Sequence, residues 1–204
     1  MGRSGNRYPA KVMTRRMPEV RDWSHMWELS ERLLVRKTGK GVAAWNARIR
    51  RLGPKDEAVL GAWLAEQGVT GYARSLLVLE RFGYPDFMSA SAKELVDGQF
   101  TTHPELRPLY DVVVRAASRF GELVVQARKT YISLLTPKRT FARIQTTKRG
   151  RLCVALRLDG ATAQGRLVPS RIHDSMPVQF ELTRCGEFDR EARRLLRTAY
   201  ERNV

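Results

Sequence analysis

The hydrophobic residues of this chain recur every three or four positions over its first half, which predicts amphipathic helices. The predicted helices cover residues 25–36, 42–52, 55–67, 71–82 and 105–119. Ser24 and Thr70 stand where side chains cap the first and the fourth of these helices. Between the fourth and the fifth, Ser91 and Glu94 have the spacing of a capping box, which predicts one short helical turn.

The hydrophobic period changes to two after residue 121, which predicts strands. These strands cover residues 122–127, 129–135, 139–146, 151–158 and 177–184. In the fourth of them, leucine and valine alternate with Arg151, Cys153, Ala155 and Arg157, so the apolar face is unambiguous. A last helix is predicted over 187–202, with acids in its first turn and arginines later, as a helix dipole favours.

These patterns predict an α+β fold, in which an N-terminal all-α helical domain precedes an antiparallel sheet flanked by helices. The predicted segments are a flexible basic arm over 1–16, a small all-α domain over 17–85, a connector over 86–104 and the α+β domain over 105–204. The arm combines five cations with glycine, proline and polar residues and has no apolar periodicity.

Composition and charge point to a class of partner. The 204 residues are 43% hydrophobic, which excludes a disordered chain, and no apolar run is long enough for a membrane span or a secretory signal. Two cysteines are too few for a disulfide framework, so we expect a cytoplasmic protein. The net charge of +16 makes an anionic partner, nucleic acid above all, the leading hypothesis.

Much of that charge lies between Leu123 and Leu158, a run that contains no acidic residue. The candidate nucleic-acid-binding residues all belong to it: Lys129, Tyr131, Lys138, Arg139, Phe141, Arg143, Lys148, Arg149, Arg151 and Arg157. Cations would contact phosphates, and aromatic rings would stack on bases. The plainer alternative is a solvated basic face without a partner.

The position of Phe141 depends on the turn near Thr136. A three-residue turn would place Tyr131 opposite Phe141 and Lys129 opposite Arg143, giving a basic sheet face with two exposed rings. A four-residue turn would shift the pairing of the two strands by one residue. Ile132 would then lie beside Phe141, and the Phe141 ring would be buried beneath a helix.

Several short motifs, in order, resemble a known combination of domains. The run Lys129-Thr130-Tyr131-Ile132-Ser133, with Phe141-Ala142, Gly150-Arg151-Leu152 and Gly165-Arg166-Leu167 after it, resembles a bacterial domain family of unknown function that is YdhG-like in outline. Upstream, Thr38-Gly39-Lys40 with Trp45 and Gly68-Val69-Thr70-Gly71-Tyr72 are similar to a small helical domain that commonly precedes it. The resemblance covers roughly residues 20–202 and implies the domain order given above. It implies no catalytic residues, and relatives attached to nuclease-like domains favour a nucleic-acid context.

The search for catalytic chemistry finds no site. His25, His103 and His173 are isolated from one another and from any acidic or cysteine cluster, so we predict no catalytic residues, no metal and no cofactor. The sequence therefore favours a non-enzymatic nucleic-acid-binding protein that uses the basic sheet face and the N-terminal arm. The alternative is a protein-interaction module, or a module for small acidic ligands with a pocket between the sheet and the last helix around Tyr131, Phe141 and Arg157.

Overall fold

The protein is described here by a computed structural model that covers residues 17–204, so the predicted basic arm over 1–16 lies outside the described residues. The helices are α1 (Ser24–Thr38), α2 (Val42–Leu52), α3 (Glu57–Glu66), α4 (Tyr72–Phe82), α5 (Ala92–Gly98), α6 (Arg107–Ala117) and α7 (Arg190–Glu201). The strands are β1 (Val20–Arg21), β2 (Val124–Ala127), β3 (Ile132–Leu135), β4 (Thr140–Thr146), β5 (Leu152–Leu156), β6 (Val168–Pro169) and β7 (Val178–Leu182). None of the described helices is both long and apolar enough to cross a membrane.

The first four helices enclose their own hydrophobic cluster, which includes Leu34, Trp45, Ile49, Leu60, Leu64 and Leu77. The ring nitrogen of Trp45 donates a hydrogen bond to the Thr38 hydroxyl at 3.0 Å, which ties the start of α2 to the end of α1. Asp56 caps α3 by accepting a hydrogen bond from the backbone N–H of Val59 at 2.8 Å. The predicted caps Ser24 and Thr70 are wrong, because Trp23 and Gly71 occupy the cap positions and neither makes a side-chain cap bond.

The predicted capping box in the connector is confirmed. The Ser91 hydroxyl accepts from the backbone N–H of Glu94, and the Glu94 carboxylate accepts from the backbone N–H of Ser91 at 2.8 Å. The short helix α5 that begins there contributes Leu95 and Val96 to the core beneath the sheet.

The strands form one sheet in the order β1-β2-β3-β4-β5-β7-β6, which confirms the α+β class. Every pairing is antiparallel except that of β1 with β2, which is parallel, so the sheet is mixed rather than purely antiparallel. The strands β1 and β6 were not predicted, since two residues are too few to show a period. Through β1, the start of the predicted helical segment 17–85 belongs to the sheet.

One face of the sheet is buried against α5, α6 and α7. Leu152, Val154 and Leu156 face this core, as their alternation predicts, and they are less than 1% exposed. The ring of Tyr200 on α7 contacts the sheet, and its hydroxyl donates to the Glu122 carbonyl at 3.1 Å. The helix layer is thereby fixed to the start of β2.

A β-bulge in β4 decides the position of Phe141. Leu134 pairs with Ala142 and Leu135 pairs with Thr140, so Phe141 is the extra residue between them. The bulge turns its side chain to the same face as Ala142, where its ring meets Tyr200 edge-on at 5.3 Å between centroids. Phe141 is 0% exposed, so it belongs to the core and is not a candidate for base stacking. Its burial agrees with the second alternative, but neither predicted register is present, because Ile132 pairs with Ile144.

We expect Phe141→Ala to lower the free energy of unfolding by about 3–5 kcal/mol, because it removes a large ring from a filled core and leaves a cavity. The measurement is urea unfolding followed by far-UV circular dichroism. Phe82→Ala is the control, since Phe82 is 36% exposed and its loss should cost about 0.5 kcal/mol. Equal losses for the two variants would contradict the assignment of Phe141 to the core.

Candidate nucleic-acid interface

The face of the sheet that points away from the helices carries polar side chains in rows. Pairing across the strands puts Ser133, Arg143 and Ala155 side by side, and Gln179 follows on β7. A second row runs through Gln145, Cys153 and Glu181. This face therefore carries mostly polar and charged side chains where the opposite face is apolar, although Ser133, Cys153, Ala155 and Gln179 are themselves buried.

A cavity of about 630 Å³ opens on this polar face, and we call it the sheet cleft. Its lining includes Tyr131, Gln145, Lys148, Cys153, Arg171 and Glu181. The turn after β4 supplies Lys148, and the segment after β6 supplies Arg171, so two exposed cations stand at its border.

Tyr131, which lines the sheet cleft, forms a stacked pair with Arg143, which lies outside the lining. The guanidinium carbon of Arg143 lies 4.5 Å from the centroid of the Tyr131 ring, and both side chains are half-buried. The Nε of Arg143 is buried and has no hydrogen-bond partner among residues 17–204. The ring and the planar cation together form a surface on which another planar group can stack.

The only acid lining the sheet cleft in the described residues, Glu181, is already neutralised. Arg151 donates to its carboxylate at 2.8 Å, Gln179 donates at 3.2 Å, and the Cys153 thiol lies 3.6 Å away. The bond from Arg151 holds the pKa of Glu181 below its usual range. Burial, reinforced by the negative charge of Glu181, raises the pKa of Cys153 to about 12. Arg151 is thus committed to an ion pair rather than free for a ligand.

Three candidate cations lie together at one end of the sheet. Lys129 belongs to the turn between β2 and β3, and Lys148 and Arg149 belong to the turn between β4 and β5, which reaches the same end. All three are exposed and form no ion pair within the described part of the chain. The ammonium of Lys129 also lies 5.0 Å from the Phe87 ring. We call these three residues the basic turns.

The other candidate cations lie elsewhere. Lys138 and Arg139 are exposed on the turn at the opposite end of β4, about 20 Å away at roughly 3.3 Å per strand residue. The Lys138 ammonium donates to the carbonyl of Val204 at 2.6 Å. Arg157 is half-buried and donates at 2.8 Å both to the Thr140 carbonyl and to the Ser175 hydroxyl, which gives it a structural role. The ten candidates therefore do not share one surface.

The predicted pocket between the sheet and the last helix is not formed by the residues named for it. Tyr131 lines the cleft on the polar face, whereas Phe141 is enclosed on the apolar face against Tyr200 of α7. The sheet cleft also contains Arg171 and Gln179, which sequence reasoning missed. The polar positions within the strand 177–184 were a signal for Gln179, but no periodicity marks the loop that holds Arg171.

Searches with the chain against models of protein families, curated protein sequences and solved structures give no match. The YdhG-like outline therefore stays a prediction. Within residues 17–204, no three His, Cys, Asp or Glu side chains are grouped so that they could hold a metal ion.

The two thiols should differ sharply in reactivity. Cys185 is exposed, whereas Cys153 is 3% exposed and its pKa is raised to about 12, so little thiolate exists at neutral pH. We expect Ellman's reagent at pH 8 to label about one thiol per chain quickly and the second only after unfolding in guanidinium chloride. Rapid labelling of both thiols in the folded parent protein, or of the remaining Cys153 in the folded Cys185→Ser variant, would contradict this environment for Cys153.

Proposed function

We propose that the protein is a non-enzymatic nucleic-acid-binding protein whose interface is the sheet cleft together with the basic turns. The observation that carries the proposal is the ring of Tyr131, which is stacked on Arg143 and lines the cleft together with Lys148 and Arg171. Such a surface combines a place for a planar base with cations for the phosphates beside it.

The electrostatics of the site support an anionic ligand. Glu181 is compensated by Arg151, while Lys129, Lys148 and Arg149 are uncompensated among the described residues. When these side chains contact phosphates, they displace cations condensed on the nucleic acid, and the release of those counterions supplies most of the affinity at low salt. The five cations of residues 1–16 would add contacts of the same kind.

The cleft favours a single strand over a duplex. A base can reach the half-buried Tyr131–Arg143 pair only if it is unpaired and turned away from its neighbours, as bases are in single-stranded segments. The phosphates of a duplex could contact the basic turns, but its bases would remain stacked within the helix.

A small acidic ligand is the second candidate for the same cleft. Its volume of about 630 Å³ lies within the roughly 300–1,000 Å³ usual for small-molecule sites. Lys148 and Arg171 would then hold the acidic groups of the ligand, and Gln145 and Gln179 would orient it.

We expect the double variant Lys148→Ala with Arg149→Ala to weaken binding to a fluorescein-labelled single-stranded oligonucleotide. Each lost phosphate contact should reduce the slope of log K against log salt by about 0.7, so two should reduce it by about 1.4. Fluorescence anisotropy across a salt series measures both effects.

Tyr131→Ala should weaken binding to the single strand more than to a duplex, because only the single strand offers a base for stacking.

The matched control is Arg50→Ala with Arg51→Ala, which removes the same charge from two adjacent exposed cations on α2. Equal weakening by the two double variants would indicate an effect of net charge and would overturn the proposed interface. A thermal-shift screen distinguishes the small acidic ligand from nucleic acid. If an acidic metabolite raises the Tm of the protein and oligonucleotides do not, the result favours the small ligand.

A further inference from the structure

A second cationic surface lies between α6 and α7, in the helix layer. It is a cavity of about 280 Å³, which we call the arginine groove, and its charged lining consists of Arg115, Arg119, Arg193 and Arg197. Val112, Ala116 and Phe120 complete the lining, so no acidic side chain borders it. The sheet separates this groove from the sheet cleft, because α6 and α7 pack on the opposite face.

The spacing of the four arginines along the chain explains why they line one groove. Arg193 and Arg197 are four residues apart on α7, and Arg115 and Arg119 are four apart at the end of α6 and just after it. Residues four apart lie on one side of a helix, so each pair projects toward the other helix. The guanidinium carbon of Arg197 lies 5.0 Å from the Phe120 ring centroid, a contact that orients the planar cation at the edge of the groove.

None of these four arginines makes an ion pair or a side-chain hydrogen bond within residues 17–204. The contacts of Arg193 and Arg197 with the rings of Phe188 and Phe120 leave their charge uncompensated. The acids that helix spacing offers them are engaged elsewhere. Asp111, one turn before Arg115, is paired with Arg107 at 3.4 Å, and Asp189, one turn before Arg193, is paired with Arg166 at 2.7 Å. Glu201, one turn after Arg197, lies beyond ion-pair distance.

The helix dipole does not account for the arginines of α7. Its effect is confined to the first and last turns, and the last turn of α7 contains no basic residue. The sequence-based explanation that these arginines lie late in the helix to complement the dipole is therefore wrong. Four like charges around one small cavity repel one another, and a bound anion would relieve that repulsion.

We infer that the arginine groove binds a compact run of two or three adjacent phosphates. Four guanidinium groups match the charge of such a unit better than that of a single carboxylate, and each planar fork can donate two parallel hydrogen bonds to one phosphate. The cavity is smaller than most small-molecule sites, so the phosphates fit where a whole nucleotide does not. A free polyphosphate supplies such a run, because its phosphates are linked directly to one another, whereas the phosphates of a nucleic-acid backbone are separated by sugars. The inference does not rest on the proposed function, because it uses no residue of the sheet cleft.

The experiment is isothermal titration calorimetry of the full chain with sodium tripolyphosphate at constant ionic strength. We expect Arg193→Ala with Arg197→Ala to lower the affinity at least tenfold, because both changes remove charged hydrogen-bond donors to the phosphates. The matched control is Arg190→Ala with Arg194→Ala, which removes the same charge at the same spacing on α7 from exposed residues outside the groove. It should bind tripolyphosphate like the parent protein.

A second arm replaces tripolyphosphate by a single-stranded oligonucleotide. Loss of tripolyphosphate binding in the groove variant supports the inference, whether or not oligonucleotide binding is lost as well. Loss of oligonucleotide binding alone would show that the groove contacts single backbone phosphates and would overturn the inference. The inference is overturned if neither ligand is affected, if the control variant loses as much, or if sulfate binds the parent protein as tightly as tripolyphosphate. Should the α7 variant fail to fold, Arg115→Ala with Arg119→Ala tests the groove from the other helix.

The experiments distinguish a failure of the inference about the arginine groove from a failure of the proposed nucleic-acid interface. Lys148→Ala with Arg149→Ala leaves the arginine groove intact, so a normal response to tripolyphosphate in that variant keeps the two surfaces separate. A protein that binds oligonucleotides through the basic turns and ignores tripolyphosphate would contradict only the inference about the groove.

Discussion

The register of β4 between β3 and β5 is the constraint on which the rest of the sheet depends. Because side chains alternate along a strand, that register decides which residues meet the helices and which line the open face. It places Ala142 and Ile144 in the core and Arg143 and Gln145 on the other side. The bulge at Phe141 interrupts the alternation once, and by doing so it supplies the ring against which α7 packs through Tyr200.

The positive charge of the protein is divided between structural and available groups. Arg151, Arg157 and Arg166 bind carboxylates, carbonyls or a hydroxyl within the fold. Arg128 is also committed, since it lies 4.4 Å from the Trp23 ring and donates to the Ala127 carbonyl, while burial lowers its pKa. Two groups of available cations are the basic turns, at one end of the sheet, and the arginine groove, in the helix layer. A polyanion that used both would have to pass around the edge of the sheet or bind two molecules of protein.

The helical part and the sheet are joined by polar contacts as well as by the chain. The side-chain amide of Gln99 donates at 2.8 Å to the carbonyls of both Arg128 and Lys129, which fixes the turn between β2 and β3. The connector residue Phe87 touches Trp23, with ring centroids 5.8 Å apart, on the segment that leads from β1 into α1. The turn that carries Lys129 is therefore fixed by a connector residue that precedes β2 in sequence.

The sequence by itself determined the elements whose signals are local. The apolar alternation of 151–158, the capping box of Ser91 and the periodicity of the helices each depend on neighbouring residues, and all of them are present. Tertiary structure alone decided what depends on distant partners. The pairing of β1 with β2 joins residues about one hundred positions apart. Phe141 does not belong to the predicted stacking surface, because the bulge in β4 turns its side chain to the core face of the sheet. The arginines of α7 followed the same rule: sequence showed their spacing, but only the packing of α6 beside α7 brought two such pairs around one cavity. Local periodicity indicates which face a side chain takes, but a bulge set by strand pairing can reverse that face, and what the face meets depends on long-range packing.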